Sequence, residues 1–261
     1  MERGRLIPLM VAPGAMHMAI DRWLLQQHRL GHQPPILRFY GWDPPALSLG
    51  YHQHLIPAHW HHLTIAGCPL QMVRRPSGGR AVLHLEDLTY GLILSGLPLS
   101  RRQAYAHLCG FLVAGWGRLG VAVTLGRSTA GSEAGSAAGS ATTLKENCFA
   151  TATTADLVLG DGCKLIGSAQ WWQGDAVLQH GSMALGGQAF TDCFAQVFGV
   201  PWPDSQERDR ARQIPRSSIM AALIAASAET LGICFEPEPL TPQEWAAISE
   251  LCSDQFIGQT H

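Results

Sequence analysis

Two cysteines and a lysine stand close together in the segment KENCFATATTADLVLGDGCKLIGSAQ, residues 145–170. A cysteine near a cation can act as a nucleophile, because positive charge favours the thiolate over the thiol. Cys163 directly precedes Lys164, and neighbouring side chains of a strand point to opposite faces, so Cys163 is expected to face away from a site that Lys164 serves. From the residues alone, Cys148 is either a nucleophile or a small buried apolar residue.

A second candidate is the glycine loop RRPSGGRAVLH, residues 74–84. Gly78 and Gly79 allow backbone N–H groups to approach a carbonyl or phosphate closely, and three arginines nearby supply positive charge. The spacing matches neither a dinucleotide-binding nor a Walker motif. A tight turn with surface arginines is an equally good interpretation of the pattern.

Composition excludes several classes of function. The chain has 261 residues, 46% hydrophobic and 15% charged, with a formal net charge of −2, so no strong field attracts nucleic acid or an anionic membrane. Its seven cysteines include no CxxC pair, which argues against a disulfide framework or structural zinc and favours reduced thiols in the cytoplasm. No segment is long and apolar enough to span a bilayer.

Five histidines within residues 52–62 have no acid or cysteine among them, so a solvated surface is favoured over a metal site.

Hydrophobic periodicity predicts an α+β fold with a mixed, largely antiparallel central sheet flanked by helices. An initial strand leads into a helix at Pro13-Gly14, residues 35–53 suggest a β-hairpin, and Gly-Asp-Gly between two apolar runs predicts a second hairpin. Helices are expected from Ser100 and from Thr241, each with a capping-box pattern, and across SSIMAALIAASAETLG. We expect a single catalytic domain over 1–261, with a flexible Gly/Ala/Ser-rich loop at 127–143 and a helical C-terminal region.

Three blocks in the same order resemble the lipoate/biotin protein ligase superfamily. They are LRFYGWDPPALSLGYHQ, RRPSGGRAVLH and CKLIGSAQWWQGDAVLQHGSMAL, and together they span most of residues 10–190. The resemblance implies the sheet architecture of class II aminoacyl-tRNA synthetases and biotin synthetases. It also implies that the glycine loop and the KLIGSAQ strand line a tunnel for an acyl chain.

The position of Cys148, 16 residues before Lys164, is similar to the cysteine-dependent octanoyltransferase branch of that superfamily. That branch implies transfer of octanoate from octanoyl-acyl carrier protein, through a cysteine thioester, to a lysine of a lipoyl-domain protein. The acceptor would be the glycine cleavage H protein or a 2-oxoacid dehydrogenase E2, with no cofactor and with the enzyme a monomer. The alternatives are an amidotransferase between carrier proteins, an ATP-dependent lipoate ligase, and a binding module without turnover.

The resemblance assigns Cys148 and Lys164 as catalytic, the lysine stabilising both the thiolate and the oxyanion of each tetrahedral intermediate. His84 is expected to orient the loop or bind substrate rather than to act as a general base, and His180 to be a hydrogen-bonded strand residue near the pocket. Arg74 and Arg75 either contact the phosphopantetheine phosphate or acidic surface of the carrier, or are merely exposed. The predicted substrate-binding residues are Arg74, Arg75, Ser77, Gly78, Gly79, His84, Gly167, Ser168, Ala169 and His180, and no metal ligand is predicted.

Overall fold

The computed structural model describes residues 1–65, 67–126 and 156–252. Up to residue 94 the elements are β1 (Glu2–Ala12), α1 (Gly14–Arg29), β2 (Ile36–Trp42), β3 (Ala46–Leu49), a 3₁₀ helix (Ala58–His62), β4 (Thr64–Ile65), β5 (Cys68–Pro69), β6 (Gln71–Arg74), β7 (Val82–His84) and β8 (Leu88–Leu94). They are followed by α2 (Arg101–Arg118), β9 (Thr124–Leu125), β10 (Asp156–Val158), β11 (Lys164–Gln173), β12 (Ala176–Met183), α3 (Gln188–Phe198), α4 (Gln206–Arg212), α5 (Arg216–Leu231), β13 (Ile233–Pro237) and α6 (Pro242–Cys252).

The central sheet contains eight strands of the described residues, in the order β13-β1-β2-β8-β12-β11-β10-β9. β1 pairs in parallel with β13 and β2, and every other neighbouring pair is antiparallel. Side chains alternate between the two faces of a strand, so Leu92 packs towards α2 and α5 while Ile93 packs towards α1 and α6. The predicted α+β class, with a mixed, largely antiparallel sheet flanked by helices, is confirmed.

The hairpin predicted over residues 35–53 is wrong. β2 lies in the central sheet, whereas β3 joins a separate three-stranded sheet in the order β6-β3-β7. Two consecutive prolines, Pro44 and Pro45, separate the strands, and neither has an N–H group with which to continue a ladder. Both strands are buried along their whole length, so neither has the solvent-facing side that the alternation of polar residues suggested.

The other local predictions agree with the structure. Ser100 and Gln103 form the capping box of α2, and Thr241 and Glu244 exchange the same two hydrogen bonds at the start of α6. β10 and β11 form the antiparallel pair that Gly-Asp-Gly predicted. The flexible loop predicted at 127–143 lies outside the described residues.

Candidate functional site

A pocket lies between the central sheet, α1 and the small sheet. Trp42 and Tyr40 reach it from β2, and Met18 reaches it from α1. Eight of the ten predicted substrate-binding residues line this pocket. They are Arg75, Gly78, Gly79, His84, Gly167, Ser168, Ala169 and His180.

Lys164 lies at the start of β11, beside this pocket. Its Nζ is 2.7 Å from Oδ1 of Asp156, and both side chains are almost fully buried. A Cβ atom placed on Gly167, which lines the pocket, would lie 2.7 Å from the same Nζ. The absence of a side chain at position 167 therefore leaves room for the ammonium group, and Asp156 holds that group in place. The arrangement puts a fixed positive charge next to the pocket.

The Gly167→Ala variant tests this packing. The added methyl group must displace the ammonium of Lys164 from its 2.7 Å contact with the buried Asp156 carboxylate, so the thermal midpoint should fall and activity is compared at a temperature where both variants are folded. Displacement of a reacting group by about 1 Å can cost up to about 10²-fold in rate, so we expect activity to fall roughly ten- to a hundredfold. Gly41→Ala in β2 is the matched control, since its new Cβ would contact only Val11 at 3.5 Å. Equal activity of both variants would contradict the packing.

The glycine loop is held from within by arginines. Arg75 is 6% exposed, and its guanidinium donates to the carbonyl oxygens of Ser48, Gly78 and Arg80. Arg74 donates to carbonyl oxygens of residues 50, 51 and 53. Both predicted carrier-binding arginines thus have donors bonded within the chain, and they brace the loop from two sides. Contact with a carrier stays a prediction for both.

One hydrogen-bonded chain of a serine, a histidine and an aspartate links the glycine loop to α1. Ser77 Oγ is 2.5 Å from Nε2 of His180, whose Nδ1 is 3.0 Å from Oδ2 of Asp21. Arg38 donates to Asp21 at 2.7 Å, and the Tyr40 hydroxyl donates to it at 3.2 Å. Burial raises the pKa of Asp21, but Arg38 and His180 outweigh it, so the pKa lies below its ordinary value. Ser77 thus contacts the pocket wall through His180.

A second chain of the same three residue types lies where β3, β7 and β8 meet. Ser48 Oγ is 2.8 Å from Nε2 of His84, whose Nδ1 is 2.8 Å from Oδ2 of Asp87. The same carboxylate oxygen accepts hydrogen bonds from Thr89 at 2.9 Å and from Ser182 at 2.6 Å. Burial raises the pKa of Asp87, and these partners, His84 first, lower it below its ordinary value. The carboxylate is therefore ionised at neutral pH and orients the imidazole.

The described cysteines do not face the pocket. Cys163 is partly buried, and its sulfur lies 3.6 Å from the carbonyl oxygen of Asp204, on the side of α4. Burial and the carboxylate of Asp161 raise the pKa of the Cys163 thiol. Cys163 thus points away from Lys164, as the sequence predicted. Cys148 lies outside the described residues.

The acids that hold the site were not predicted from the sequence. Asp21 lies one helical turn after His17 and Met18, on the buried face of α1. A carboxylate on a buried face indicates that a hydrogen-bond donor or a cation is buried beside it. Asp87 follows His84 by three positions. Asp156 opens an apolar strand eight positions after Cys148, where a charge needs a counter-charge.

Comparison with known proteins defines the family. Residues 13–224 match the lipoyl protein ligase A/B catalytic domain. The chain belongs to the lipoyl protein ligase A/B family. Among its relatives in this family, octanoyltransferase LipM of Kyrpidia tusciae is 33% identical over 99% of this chain and 98% of its own length. Octanoyltransferase LipM of Brevibacillus brevis is 38% identical over 98% and 97%. The resemblance predicted from the three sequence blocks is confirmed.

Two solved structures titled as lipoate protein ligases share the fold of this chain. Lipoate-protein ligase A bound with ATP has a TM-score of 0.73 and 23% identity, over 96% of this chain and 94% of that one. The putative lipoate protein ligase Ta0514 of T. acidophilum with bound lipoic acid has a TM-score of 0.75 and 22% identity, over 98% and 97%. At these identities the similarity establishes the fold alone. In the described part of this chain, no helix is long and apolar enough to cross a membrane, and no three His, Cys, Asp or Glu side chains are grouped to hold a metal ion.

Proposed function

We propose that this protein is an octanoyltransferase that moves octanoate from acyl carrier protein, through a thioester on Cys148, to a lysine of a lipoyl-domain protein. The observation that carries the proposal is the alignment, nearly end to end, with relatives that are octanoyltransferases. The protein is an acyltransferase on this basis.

The buried ammonium of Lys164 supports the chemistry. In the first step the Cys148 thiolate attacks the carbonyl of the octanoyl thioester, and the carrier thiolate leaves. One thioester replaces another, so the step is close to isoenergetic and needs no ATP. A cation fixed beside the pocket stabilises the attacking thiolate and the oxyanion of the tetrahedral intermediate.

The covalent intermediate suits two protein partners. Because the acyl group is covalently bound to the enzyme, the carrier can dissociate before the acceptor binds. The two proteins therefore need not bind at the same time. We assign the donor to octanoyl-acyl carrier protein and the acceptor to the glycine cleavage H protein or a 2-oxoacid dehydrogenase E2. The single domain, the monomeric state and the cytoplasmic location remain predictions.

An amidotransferase between carrier proteins would use the same residues and differ only in the donor. An ATP-dependent lipoate ligase would need ATP and a free acid, and would not depend on Cys148. A binding module would hold the acyl group without turnover. The names of the full-length relatives favour the octanoyltransferase over all three.

A transfer assay without nucleotide tests the proposal. Octanoyl-acyl carrier protein and apo H protein are incubated with the enzyme in a buffer that contains EDTA and no ATP. The mass of the H protein is then measured by intact mass spectrometry. We expect one octanoyl group on H protein, and no gain when ATP and free octanoate are added. Transfer only from ATP and octanoate would contradict the proposal and indicate a ligase. Faster transfer from octanoyl-H protein to an E2 lipoyl domain than from the carrier would indicate an amidotransferase.

A further inference from the structure

A groove with a volume of about 610 Å³ adjoins the pocket. Gly78 lines both of them, and Ala169 of the pocket is followed on β11 by Gln170 of the groove. Met18 lines the pocket, and Arg22, four positions later on the same face of α1, lines the groove. The walls formed by the glycine loop, β11 and α1 therefore continue from the pocket into the groove.

Two arginines line the groove, each beside a tryptophan of β11. The guanidinium carbon of Arg22 lies 6.0 Å from the ring centroid of Trp171, and that of Arg101 lies 5.9 Å from the ring centroid of Trp172. Neither guanidinium forms a hydrogen bond or an ion pair within the described part of the chain, although Nε of Arg22 is buried. No carboxylate is among the described residues that line the groove. The groove therefore offers unused donors and positive charge to an anion.

The two tryptophans that carry these arginines are themselves held in place. Trp172 Nε1 donates to Oε1 of Gln170 at 3.0 Å, and Nε2 of Gln170 donates to Oε1 of Gln179 on β12 at 2.8 Å. Trp171 packs against the apolar cluster between the sheet and α1. Because a guanidinium is attracted to the face of an indole ring, the tryptophans restrict the positions of both charges before a ligand binds.

The groove lies about as far from Lys164 as the prosthetic arm of an acyl carrier protein can reach. In the proposed function the donor thioester lies beside the Lys164 ammonium, which is next to Gly167. Trp171 follows Gly167 by four positions of β11, which is about 13 Å at the rise of a strand. A phosphopantetheine arm has roughly 13 bonds between its sulfur and its phosphorus, and it spans about 15 Å at the reach per bond of an extended polypeptide. A thioester at Lys164 therefore places the phosphate in the groove.

We propose that Arg22 and Arg101 bind the phosphate of the phosphopantetheine arm on octanoyl-acyl carrier protein. The inference rests on the proposed function, because it names the group by which the donor of that function is recognised. Guanidinium groups bind phosphate oxygens through pairs of charge-assisted hydrogen bonds. Arg74 and Arg75, the arginines that the sequence suggested for this phosphate, donate instead to carbonyl oxygens of the chain. The octanoyl chain then occupies the pocket, and the arm leaves it through the groove.

Two small donors that differ only in the phosphate test the assignment. Octanoyl-phosphopantetheine or octanoyl-pantetheine is mixed with the enzyme without ATP, below saturation, and octanoyl-enzyme is followed by intact mass spectrometry. We expect the second-order rate constant of the wild-type enzyme to favour the phosphorylated donor about ten- to a hundredfold, as charge-assisted hydrogen bonds allow. In Arg22→Gln/Arg101→Gln the two donors should react within about twofold of each other. Added salt should reduce the wild-type preference, because partly exposed charges are screened.

Arg29→Gln/Arg102→Gln is the matched control. It removes the same charge from the same two helices, at exposed positions that are not among the described residues of the groove. The control should keep the wild-type preference for the phosphorylated donor. If Arg22→Gln/Arg101→Gln does not fold, the exposed Arg101 is replaced alone, and the preference should still fall at least about threefold.

Three results with these donors would overturn the assignment. The first is a wild-type enzyme that does not distinguish the two donors, and the second is a preference that persists in Arg22→Gln/Arg101→Gln. The third is slower acylation of this variant by octanoyl-acyl carrier protein with an unchanged preference between the small donors, which would show that the arginines bind the protein surface of the carrier. A wild-type enzyme that takes octanoate neither from the carrier protein nor from the small donors would instead reject the proposed function.

Discussion

Replacing Cys148 with alanine is expected to abolish octanoyl transfer, lowering kcat by roughly 10⁴-fold or more. Without the thiolate, the acceptor lysine would have to attack the carrier-bound thioester directly, with both proteins bound at once. The effect should fall on kcat rather than on stability.

The kcat of Cys148→Ala is obtained from initial rates of octanoyl transfer to H protein, measured by intact mass spectrometry. Cys163→Ala is the matched control, because Cys163 is the other thiol of the same segment and points towards Asp204. It should retain wild-type activity and the wild-type thermal midpoint. Full activity of Cys148→Ala, or equal losses in both variants, would rule out the covalent route.

Replacing Lys164 with methionine is the second large prediction, and it affects both activity and stability. Loss of a preorganised group that stabilises an oxyanion costs on the order of 10²–10³ in rate. The same substitution leaves the buried Asp156 carboxylate without its partner at 2.7 Å. Removing one member of a buried ion pair typically costs about 3–5 kcal/mol of unfolding free energy.

A double-mutant cycle separates the two effects. Asp156→Asn alone should also destabilise the protein, since the buried ammonium loses its 2.7 Å contact with a carboxylate. The double variant Lys164→Met/Asp156→Asn carries no uncompensated charge and should regain most of the lost unfolding free energy while remaining as inactive as Lys164→Met. Chemical denaturation gives the stability and the H protein assay gives the rate. Recovery of activity in the double variant would show that Lys164 acts through folding alone.

Local structure was predictable from the sequence where it depended on nearby residues. The capping boxes at Ser100 and Thr241, and the hairpin around Gly-Asp-Gly, depend on residues within a few positions of one another. The false hairpin at 35–53 shows the limit. Whether two adjacent strands pair depends on what else competes for their edges, and here β8 pairs with β2 while β6 and β7 pair with β3.

The residues that line the pocket were predictable from the sequence, but the hydrogen bonds and ion pairs that hold them were not. The glycine loop and the KLIGSAQ strand were identified from sequence blocks, and both line the pocket. Asp21 and His180 are 159 positions apart, and Ser77 and His180 are 103 positions apart, so no spacing reveals their contact. Asp156 could be paired with Lys164 only once the register of β10 and β11 was known.

The proposed function requires the octanoyl group to pass through a thioester on Cys148 without ATP. It is tested most directly by mixing the enzyme with octanoyl-acyl carrier protein alone and weighing the intact enzyme before and after hydroxylamine. We expect one octanoyl group on the wild-type enzyme, which hydroxylamine removes and peptide mapping locates on Cys148. Cys148→Ser should carry no such hydroxylamine-labile adduct. An unmodified wild-type enzyme, or an adduct that persists unchanged in Cys148→Ser, would contradict it.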